Sequence, residues 1–421
     1  MPDILNDNFI LKNGGYSNYE DTTKLARHRW YYYKEGFSPN LVEKAIEHTG
    51  VKKNELIIDP FNGSGTTTLT ASLNGYKSIG IEVNPFTSFL ADTKAKNVNI
   101  SKLELWGDKL LDSSETTAKS PLLGYSTFSN KNNDKKWLFN NSILNSFEGG
   151  WKLTDDIHSQ DIKKLARLAL IASAMQNCNA RRDGKCLRYS NWGDKIFGKD
   201  TFLESLMENL NIIKSDIKER PITENPIIIK GDCRKILKRE RIQPFKLCIT
   251  SPPYLNTFDY TDIYRPELFL GKFIDGNENL YKLRLTTVRS HVQAKWKLPI
   301  LNDFGSLYLQ AMKHINENED KLMHKFIPFM IQAYFEDMFN ILKLLKVKAA
   351  KGAQIWLVVS NSAYADKEIP VDLIIGDLGE QAGWDLKEVG VLRRIKKRMT
   401  KYSPNVTELR ESVIILSNGK S

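Results

Sequence analysis

Apolar positions along the chain follow two periodicities. Two short segments typical of strands, the apolar run Leu56–Ile58 and the segment Ser78–Glu82, are separated by a turn and by residues with helical spacing. This strand–turn–helix–strand order over residues 54–98 is typical of a parallel sheet. It resumes at Pro226–Lys230 and Phe245–Thr250. The sequence therefore predicts an α/β fold with a doubly wound, mostly parallel sheet.

Two stretches interrupt this rhythm. Residues 99–222 contain polar, turn-rich segments together with helical spacing over 160–178 and 201–217, which indicates a largely helical insertion. Residues 272–328 form a second, smaller and less regular stretch. One catalytic domain with two insertions explains this order better than two independent domains. The predicted segments are 1–98, 99–222, 223–271, 272–328 and 329–421.

The last segment completes the predicted sheet. An amphipathic helix is expected over 329–346, and the apolar run Gln354–Ser360 predicts a buried strand. A helix over 370–382 and strands near 384–393 and 411–417 follow.

Composition limits the class of protein. The 421 residues carry a net charge of +11, which suits a polyanionic partner such as nucleic acid. No run approaches the roughly 20 apolar residues of a membrane span, and the N-terminus lacks a signal-peptide pattern, so a cytoplasmic protein without a membrane is expected. The four cysteines show no zinc spacing, and we expect no metal.

A glycine-rich turn follows the first predicted strand. Within Asp59–Thr67, Gly63 and Gly65 let the backbone turn tightly and approach a ligand closely. Glu82 ends the next predicted strand, where an acidic residue can accept hydrogen bonds from ribose hydroxyls. Alone, such a turn is more often structural than cofactor-binding.

A second turn strengthens the case for a ligand site. The segment Thr250–Tyr254 closes a later strand, and its consecutive prolines Pro252 and Pro253 stiffen the loop and lack N–H donors. Ser251 and a proline carbonyl can therefore accept hydrogen bonds from the exocyclic amine of a base, while Tyr254 stacks on the ring. Two acceptors would localise the nitrogen lone pair beside an activated methyl group.

These two turns resemble motifs I and IV of the amino-type DNA methyltransferases of restriction–modification systems. Phe37 resembles the aromatic residue of motif X, Glu82 the acidic residue of motif II, and Gly231-Asp232 resembles motif III. The resemblance implies a Rossmann-like class I methyltransferase sheet, S-adenosylmethionine as cofactor, double-stranded DNA as substrate and a cognate restriction endonuclease as partner. The catalytic residues that it implies are Ser251, Pro252, Pro253 and Tyr254. The cofactor-binding residues are Phe37, Asp59, Pro60, Phe61, Gly63, Ser64, Gly65, Thr66, Thr67, Glu82 and Asp232.

The resemblance also bears on the target base. Family members with serine at the first loop position mostly methylate cytosine N4, and those with Asp or Asn mostly methylate adenine N6. Ser251 is neutral and both donates and accepts, whereas a carboxylate only accepts. We therefore expect N4-methylcytosine as the product, with N6-methyladenine as the alternative.

Base recognition is expected in the insertions, chiefly 99–222, because no separate domain follows the last predicted strand. Basic residues there and in the connection before the final strand are candidate DNA contacts, although each group also suits a solvated surface. These residues are Arg181, Arg182, Lys185, Arg188, Arg393, Arg394, Lys396 and Lys397.

Two other functions remain open from the sequence. One is an RNA methyltransferase acting on guanine N2, whose members share a similar glycine turn but usually have Asp or Asn at the position of Ser251. The other is a silent methyltransferase-like subunit that only binds nucleic acid.

Overall fold

The structure is a computed structural model that describes residues 4–9, 19–130, 136–183, 186–189, 197–239, 241–397 and 400–419. Its strands are β1 (Leu5–Asn6), β2 (Leu56–Asp59), β3 (Lys77–Glu82), β4 (Ala180–Asp183), β5 (Cys186–Tyr189), β6 (Ile227–Lys230), β7 (Phe245–Thr250), β8 (Ala349–Ser360), β9 (Ser362–Tyr364), β10 (Lys367–Ile369), β11 (Asp385–Lys396) and β12 (Glu408–Ser417).

Helices occupy most of the connections between these strands. They are α1 (Pro39–Thr49), α2 (Thr66–Leu73), α3 (Pro85–Lys94), α4 (Ile100–Thr116), α5 (Asn141–Leu153), α6 (Gln160–Gln176), α7 (Lys199–Glu219), α8 (Cys233–Arg239), α9 (Tyr260–Ile263), α10 (Arg265–Leu270), α11 (Asn277–Arg284), α12 (Ser306–Glu317), α13 (Ile327–Lys348) and α14 (Val371–Gln381). Short 3-10 helices lie at Tyr19–Thr23, His28–Trp30, Thr154–Asp156 and Glu319–Lys321.

The central sheet has eight strands in the order β1-β11-β12-β8-β7-β2-β3-β6. The run from β8 to β6 is parallel throughout, while β12 pairs antiparallel with both of its neighbours. The predicted α/β fold with a mostly parallel sheet is confirmed.

Both faces of the sheet are buried. Ile57 and Ile58 are consecutive in β2 and fully buried, and they pack into different apolar clusters because side chains alternate across a strand. Leu41 of α1 lies in the cluster on one face, and Ile341 of α13 lies in the cluster on the other. This explains why the strands read as nearly continuous apolar runs.

The strand order places two loops side by side. From β2 the chain winds through β3 to β6 in one direction, whereas β7 lies on the other side of β2 and leads on to β8. The loops that follow β2 and β7 therefore meet at a topological switch point at the carboxyl edge of the sheet, where ligands of open α/β sheets bind.

The segment between β3 and β6 is mainly helical and includes the two-stranded ribbon β4–β5. Helices α4 to α7 bury large side chains such as Phe147 and Phe202 in one cluster. That cluster also contains Phe86 and Leu90 of α3, so this segment shares its core with the helix that follows β3. Within the described residues, no helix is long and apolar enough to cross a membrane.

One sequence prediction about the C-terminal segment is wrong. The basic run that starts at Arg393 was expected in the connection before the final strand, but β11 extends through Lys396 and pairs with β12. The pairing brings Arg393 opposite Glu411 and Lys396 opposite Glu408, so acidic side chains of the neighbouring strand stabilise this extension.

Candidate active site

A cavity of about 630 Å³ opens at the carboxyl edge of the sheet, within the range of roughly 300–1,000 Å³ common for small-molecule sites. Loops after four adjacent parallel strands line it. The loop after β2 contributes Asp59 to Ser64 and Thr66, the end of β3 contributes Glu82, and the loops after β6 and β7 contribute Gly231 to Cys233 and Ser251 to Tyr254. Phe37, which precedes α1, also lines the cavity.

The turn after β2 depends on glycine at two positions. Gly63 and Gly65 have φ values of +48° and +87°, in the left-handed region that favours glycine. A Cβ atom at Gly65 would lie 2.8 Å from the Cβ of Ala91, so this glycine lets the start of α2 pack directly against α3. A Cβ at Gly63 would lie 3.3 Å from the hydroxyl of Tyr33. Because neither glycine carries a side chain, the turn consists of backbone atoms at these two positions.

Glu82 organises the same wall. Its Oε2 accepts a 2.7 Å hydrogen bond from the Gly63 amide, and its Oε1 accepts a 2.8 Å bond from the Asn84 amide. Burial raises the pKa of this carboxyl. Each oxygen keeps a further lone pair, so the side chain can still accept hydrogen bonds from a ligand.

Two buried contacts join the end of β2 and the start of α2 to the end of β7. The Thr250 hydroxyl donates a 2.6 Å hydrogen bond to Oδ1 of Asp59, and the Thr67 hydroxyl donates a 3.2 Å bond to the carbonyl of Ile249. Asp59 also accepts a 3.0 Å bond from the amide of Phe61. Burial raises the pKa of Asp59 to about 6. The predicted cofactor turn and the predicted catalytic loop are therefore held together by hydrogen bonds where they leave the sheet.

A chain of hydrogen bonds starts at the serine of the second loop. The Ser251 hydroxyl donates to the Tyr254 hydroxyl at 3.4 Å, and Tyr254 donates to Oε1 of Glu411 at 2.8 Å. Nε of Arg393 donates to the other Glu411 oxygen at 2.6 Å. Burial raises the pKa of Tyr254 well above its ordinary value, so the phenol keeps its proton. With its own proton directed to Tyr254, Ser251 has its lone pairs free as acceptors.

Asp232 is held by its neighbour Arg234. Nε and Nη2 of Arg234 donate to the two Asp232 oxygens at 2.9 and 3.0 Å, and Nη1 lies 2.9 Å from Oδ2 of Asp337. Nη2 also donates to the carbonyls of Thr286 and Thr287 at 3.1 Å. One guanidinium thus fixes both the carboxylate after β6 and the backbone of Thr286 and Thr287, which also line the cavity.

Several cavity residues carry no motif signal. Trp30 and Tyr31 are buried in the core, whereas Tyr33 from the same run of aromatic residues lines the cavity. Its ring stacks on Tyr264 with centroids 5.2 Å apart. Tyr264 and His291 also line the cavity. The aromatic content of the segment after the second loop is the signal that could have pointed to Tyr264, and no sequence pattern marks His291.

The predicted DNA contacts fall into different environments. Lys396 and Lys397 lie at the cavity, and Lys397 Nζ donates to the Ser403 carbonyl at 2.9 Å. Arg394 is half exposed and pairs with Asp7 and Glu408 at 2.8 and 3.3 Å. Arg181 and Arg188 are exposed on the β4–β5 ribbon, where Arg188 pairs with Asp183. Lys185 lies outside the described residues.

Arg182 corrects the expectation of a free DNA contact. Its guanidinium is buried, pairs with Glu267 and lies 4.4 Å from the centre of the Tyr264 ring. Side chains alternate across a strand, so Arg182 points inward while Arg181 points to solvent. Arg182 therefore joins the ribbon to the cavity wall.

Within the described part of the chain, no group of three or more His, Cys, Asp or Glu side chains could hold a metal ion.

Comparison with known proteins shows similarity to DNA methyltransferases. A family described as DNA methylase matches residues 3–91, which include Phe37, the glycine turn and Glu82. Type II methyltransferase M.BsoBI from Geobacillus stearothermophilus is 28% identical, over 94% of this chain and 87% of that protein. Type II methyltransferase M.AvaI from Anabaena variabilis is 27% identical, over 89% and 82%. Among solved structures, the rRNA methyltransferase aviRa from Streptomyces viridochromogenes covers 91% of this chain and 85% of its own, with 10% identity and a TM-score of 0.30, a likeness too low to bear on function.

Proposed function

We propose that this chain is an amino-type DNA methyltransferase of a restriction–modification system and uses S-adenosylmethionine as methyl donor. Its target would be N4 of a cytosine that is flipped out of duplex DNA. Flipping is required because the exocyclic amine of a stacked base cannot reach a buried donor. The observation that carries the proposal is the chain from Ser251 through Tyr254 to Glu411.

The residues around the glycine turn fit the cofactor. Glu82 would accept hydrogen bonds from the ribose hydroxyls, and Asp232 would accept one from the adenine amine. Phe37 offers an apolar face for the methionine portion. Gly63 lacks a Cβ where one would come within 3.3 Å of Tyr33, which leaves backbone at the ligand surface. When bound, S-adenosylmethionine supplies a methyl group activated by a sulfonium.

The second loop would prepare the amine. The lone pair of a base amine is delocalised into the ring, so it must be localised before it can attack. Ser251 would accept one amine hydrogen, since its own proton is donated to Tyr254, and a carbonyl of Pro252 or Pro253 would accept the other. The methylated nitrogen must lose one proton, and Ser251 can take it while passing its own through Tyr254 to Glu411. Holding the amine in place also gives the entropic advantage of a positioned reaction.

Cytosine is favoured over adenine by the residue at the head of this loop. Ser251 can present lone pairs to N4 and remains neutral, and serine at this position accompanies cytosine specificity in most family members. Tyr254 and the stacked pair Tyr33–Tyr264 line the same cavity and would contact a flipped ring.

Analysis of the product tests this assignment. Genomic DNA from cells that express the protein, in a host free of cytosine-N4 and adenine-N6 methylation, is digested to nucleosides and analysed by mass spectrometry. We expect N4-methylcytosine. N6-methyladenine as the sole product would refute cytosine specificity and leave an amino-methyltransferase. Methylated cytosine that disappears in Ser251→Ala would link the product to this loop.

We further propose that a restriction endonuclease of the same specificity is the partner, because both of the full-length relatives described above are Type II methyltransferases. Modified DNA should resist that endonuclease. Cleavage of fully methylated DNA by an endonuclease encoded beside this protein would contradict the pairing.

A further inference from the structure

A loop formed by residues 292–301 leaves the wall of the cavity. It starts directly after Ser290 and His291, both of which line the cavity. Nε1 of Trp296 donates a 3.0 Å hydrogen bond back to the His291 carbonyl, and the two rings meet edge to face with centroids 5.0 Å apart. The base of the loop is thus tied to the cavity wall.

A buried ion pair holds the far end of the same loop. Arg289 and Glu336 lie 2.6 Å apart and are both buried. Nη1 of Arg289 donates to the Lys297 carbonyl at 3.2 Å, and Oε1 of Glu336 accepts from the amides of Ile300 and Leu301 at 2.7 and 2.9 Å. The backbone on both sides of the loop tip is therefore fixed from within the protein.

The tip that this framework supports is apolar and in solvent. Leu298 is 77% exposed and Ile300 is 89% exposed. Exposed Lys295 and Lys297 directly precede them in the loop. Single exposed apolar side chains are common on protein surfaces. Two exposed apolar side chains on a fixed loop tip, next to two lysines, match the chemistry of duplex DNA. Apolar groups can contact the faces of stacked bases, and lysines can contact phosphates.

The location of the loop agrees with a nucleic-acid contact. Helix α13 ends at Lys348, immediately before β8, so its first half, which includes Glu336, lies toward the carboxyl edge of the sheet. The cavity opens at that edge. A duplex whose base enters the cavity would come close to the loop.

We propose that Leu298 and Ile300 form an apolar wedge that enters the base stack of duplex DNA at the step the target base leaves. The inference rests on the proposed function. Unstacking and unpairing a base cost a few kcal/mol. Apolar side chains inserted at the vacated step recover part of that contact, and a preformed loop does so without ordering on binding.

The test uses the double variant Leu298→Ser with Ile300→Ser, and Val347→Ser as the matched control. Val347 is 81% exposed but lies at the opposite end of α13, about 16 Å along the helix from Glu336. All three side chains are in solvent, so the fold should be retained. We expect the double variant to lower kcat/KM on duplex DNA by about tenfold, while cofactor affinity stays unchanged. A 2-aminopurine placed at the target position opposite thymine, with which it pairs, should fluoresce less in the complex with the double variant than with the wild type.

A substrate with an abasic site opposite the target base distinguishes a role of the loop in base flipping from a role in overall DNA affinity. Flipping costs less there, so the double variant should recover to within about threefold of the wild type. Equal activity of both proteins on normal duplex would overturn the proposal, as would an equal defect on both substrates. The proposal would also fail if the wild type were a dimer and the double variant a monomer with unchanged activity per chain. The loop would then bind a second copy of the protein. Wild-type protein that methylates no DNA would instead refute the proposed function.

Discussion

The hydroxyl of Tyr254 donates a 2.8 Å hydrogen bond to Oε1 of Glu411, joining the loop after β7 to β12. More than 150 residues separate the two in sequence, yet both line the same cavity. Because Arg393 occupies the other carboxylate oxygen, the Tyr254 proton has one defined direction. The orientation of Ser251 as an acceptor therefore depends on a residue outside the recognised catalytic loop.

Glu411→Gln should lower kcat by at least about tenfold, a modest share of the effect usual for proton-transfer groups. A Gln side chain places an amide N–H₂ against either Arg393 or Tyr254, so one of these donors loses its acceptor. Cofactor affinity, measured by calorimetry, should stay within about twofold because Glu411 is not among the predicted cofactor residues.

Glu408→Gln is the matched control for this prediction. Glu408 lies on the same strand and also pairs with an arginine, Arg394 at 3.3 Å, but both are partly exposed at the surface. Its replacement should leave kcat unchanged, since exposed pairs contribute little. Equal effects of the two variants would argue that Glu411 acts only through strand pairing.

The sequence was sufficient to predict the parallel sheet and both cavity loops. Leu56–Ile58 is entirely apolar and Phe245–Thr250 is mainly apolar, which indicates strands buried on both faces, and each is followed by residues that turn the chain. It could not predict that Glu411 would lie beside Tyr254. That contact depends on the order of β7, β8 and β12 in the sheet, which no local pattern encodes.

Gly65→Ala should abolish measurable cofactor binding in calorimetry. The added Cβ would lie 2.8 Å from the Ala91 Cβ and 3.1 Å from its Cα, so α2 must move away from α3 and carry the cofactor turn with it. Gly50→Ala provides the control, because Gly50 also has a positive φ of +64° but has nothing within 4 Å of the added atom. Both variants carry backbone strain of roughly 1 kcal/mol, whereas only Gly65→Ala should lose binding. Retained affinity would show that the turn tolerates this displacement.

Asp59 should make the free energy of unfolding depend on pH. Burial raises the pKa of Asp59 from 3.8 to about 6, so the folded state keeps a proton that the unfolded state releases. The free energy of unfolding contributed by this group therefore falls as pH rises from about 4 to about 6 and is constant above that. Asp59→Asn removes this pH dependence, because the amide does not titrate, and the Asn side-chain oxygen can still accept the hydrogen bond from Thr250. The free energy of unfolding of the variant minus that of the wild type, from urea denaturation, should increase across this window, and a flat difference would contradict it.

Arg181 and Arg182 show what a charge pattern leaves undecided. Both belong to one basic segment, and the sequence could not establish which of the two faces solvent. Pairing of β4 with β5 sets Arg181 opposite Arg188 on the exposed face. It turns Arg182 toward Glu267. The register of a ribbon decides the role of each cation.

Arg182→Met should therefore affect mainly stability, and Arg188→Met mainly DNA affinity. Loss of Arg182 leaves the buried carboxylate of Glu267 without its ion pair, which should lower the free energy of unfolding by about 3 kcal/mol. Arg188 is exposed, so its replacement should change stability by less than about 0.5 kcal/mol. Affinity for duplex DNA should fall for Arg188→Met, with a reduced dependence on salt, because a phosphate contact is lost while cofactor affinity is retained. Denaturation and DNA-binding titrations at two salt concentrations measure both quantities. Unchanged DNA affinity in Arg188→Met would remove the exposed face of the β4–β5 ribbon from the DNA-binding surface.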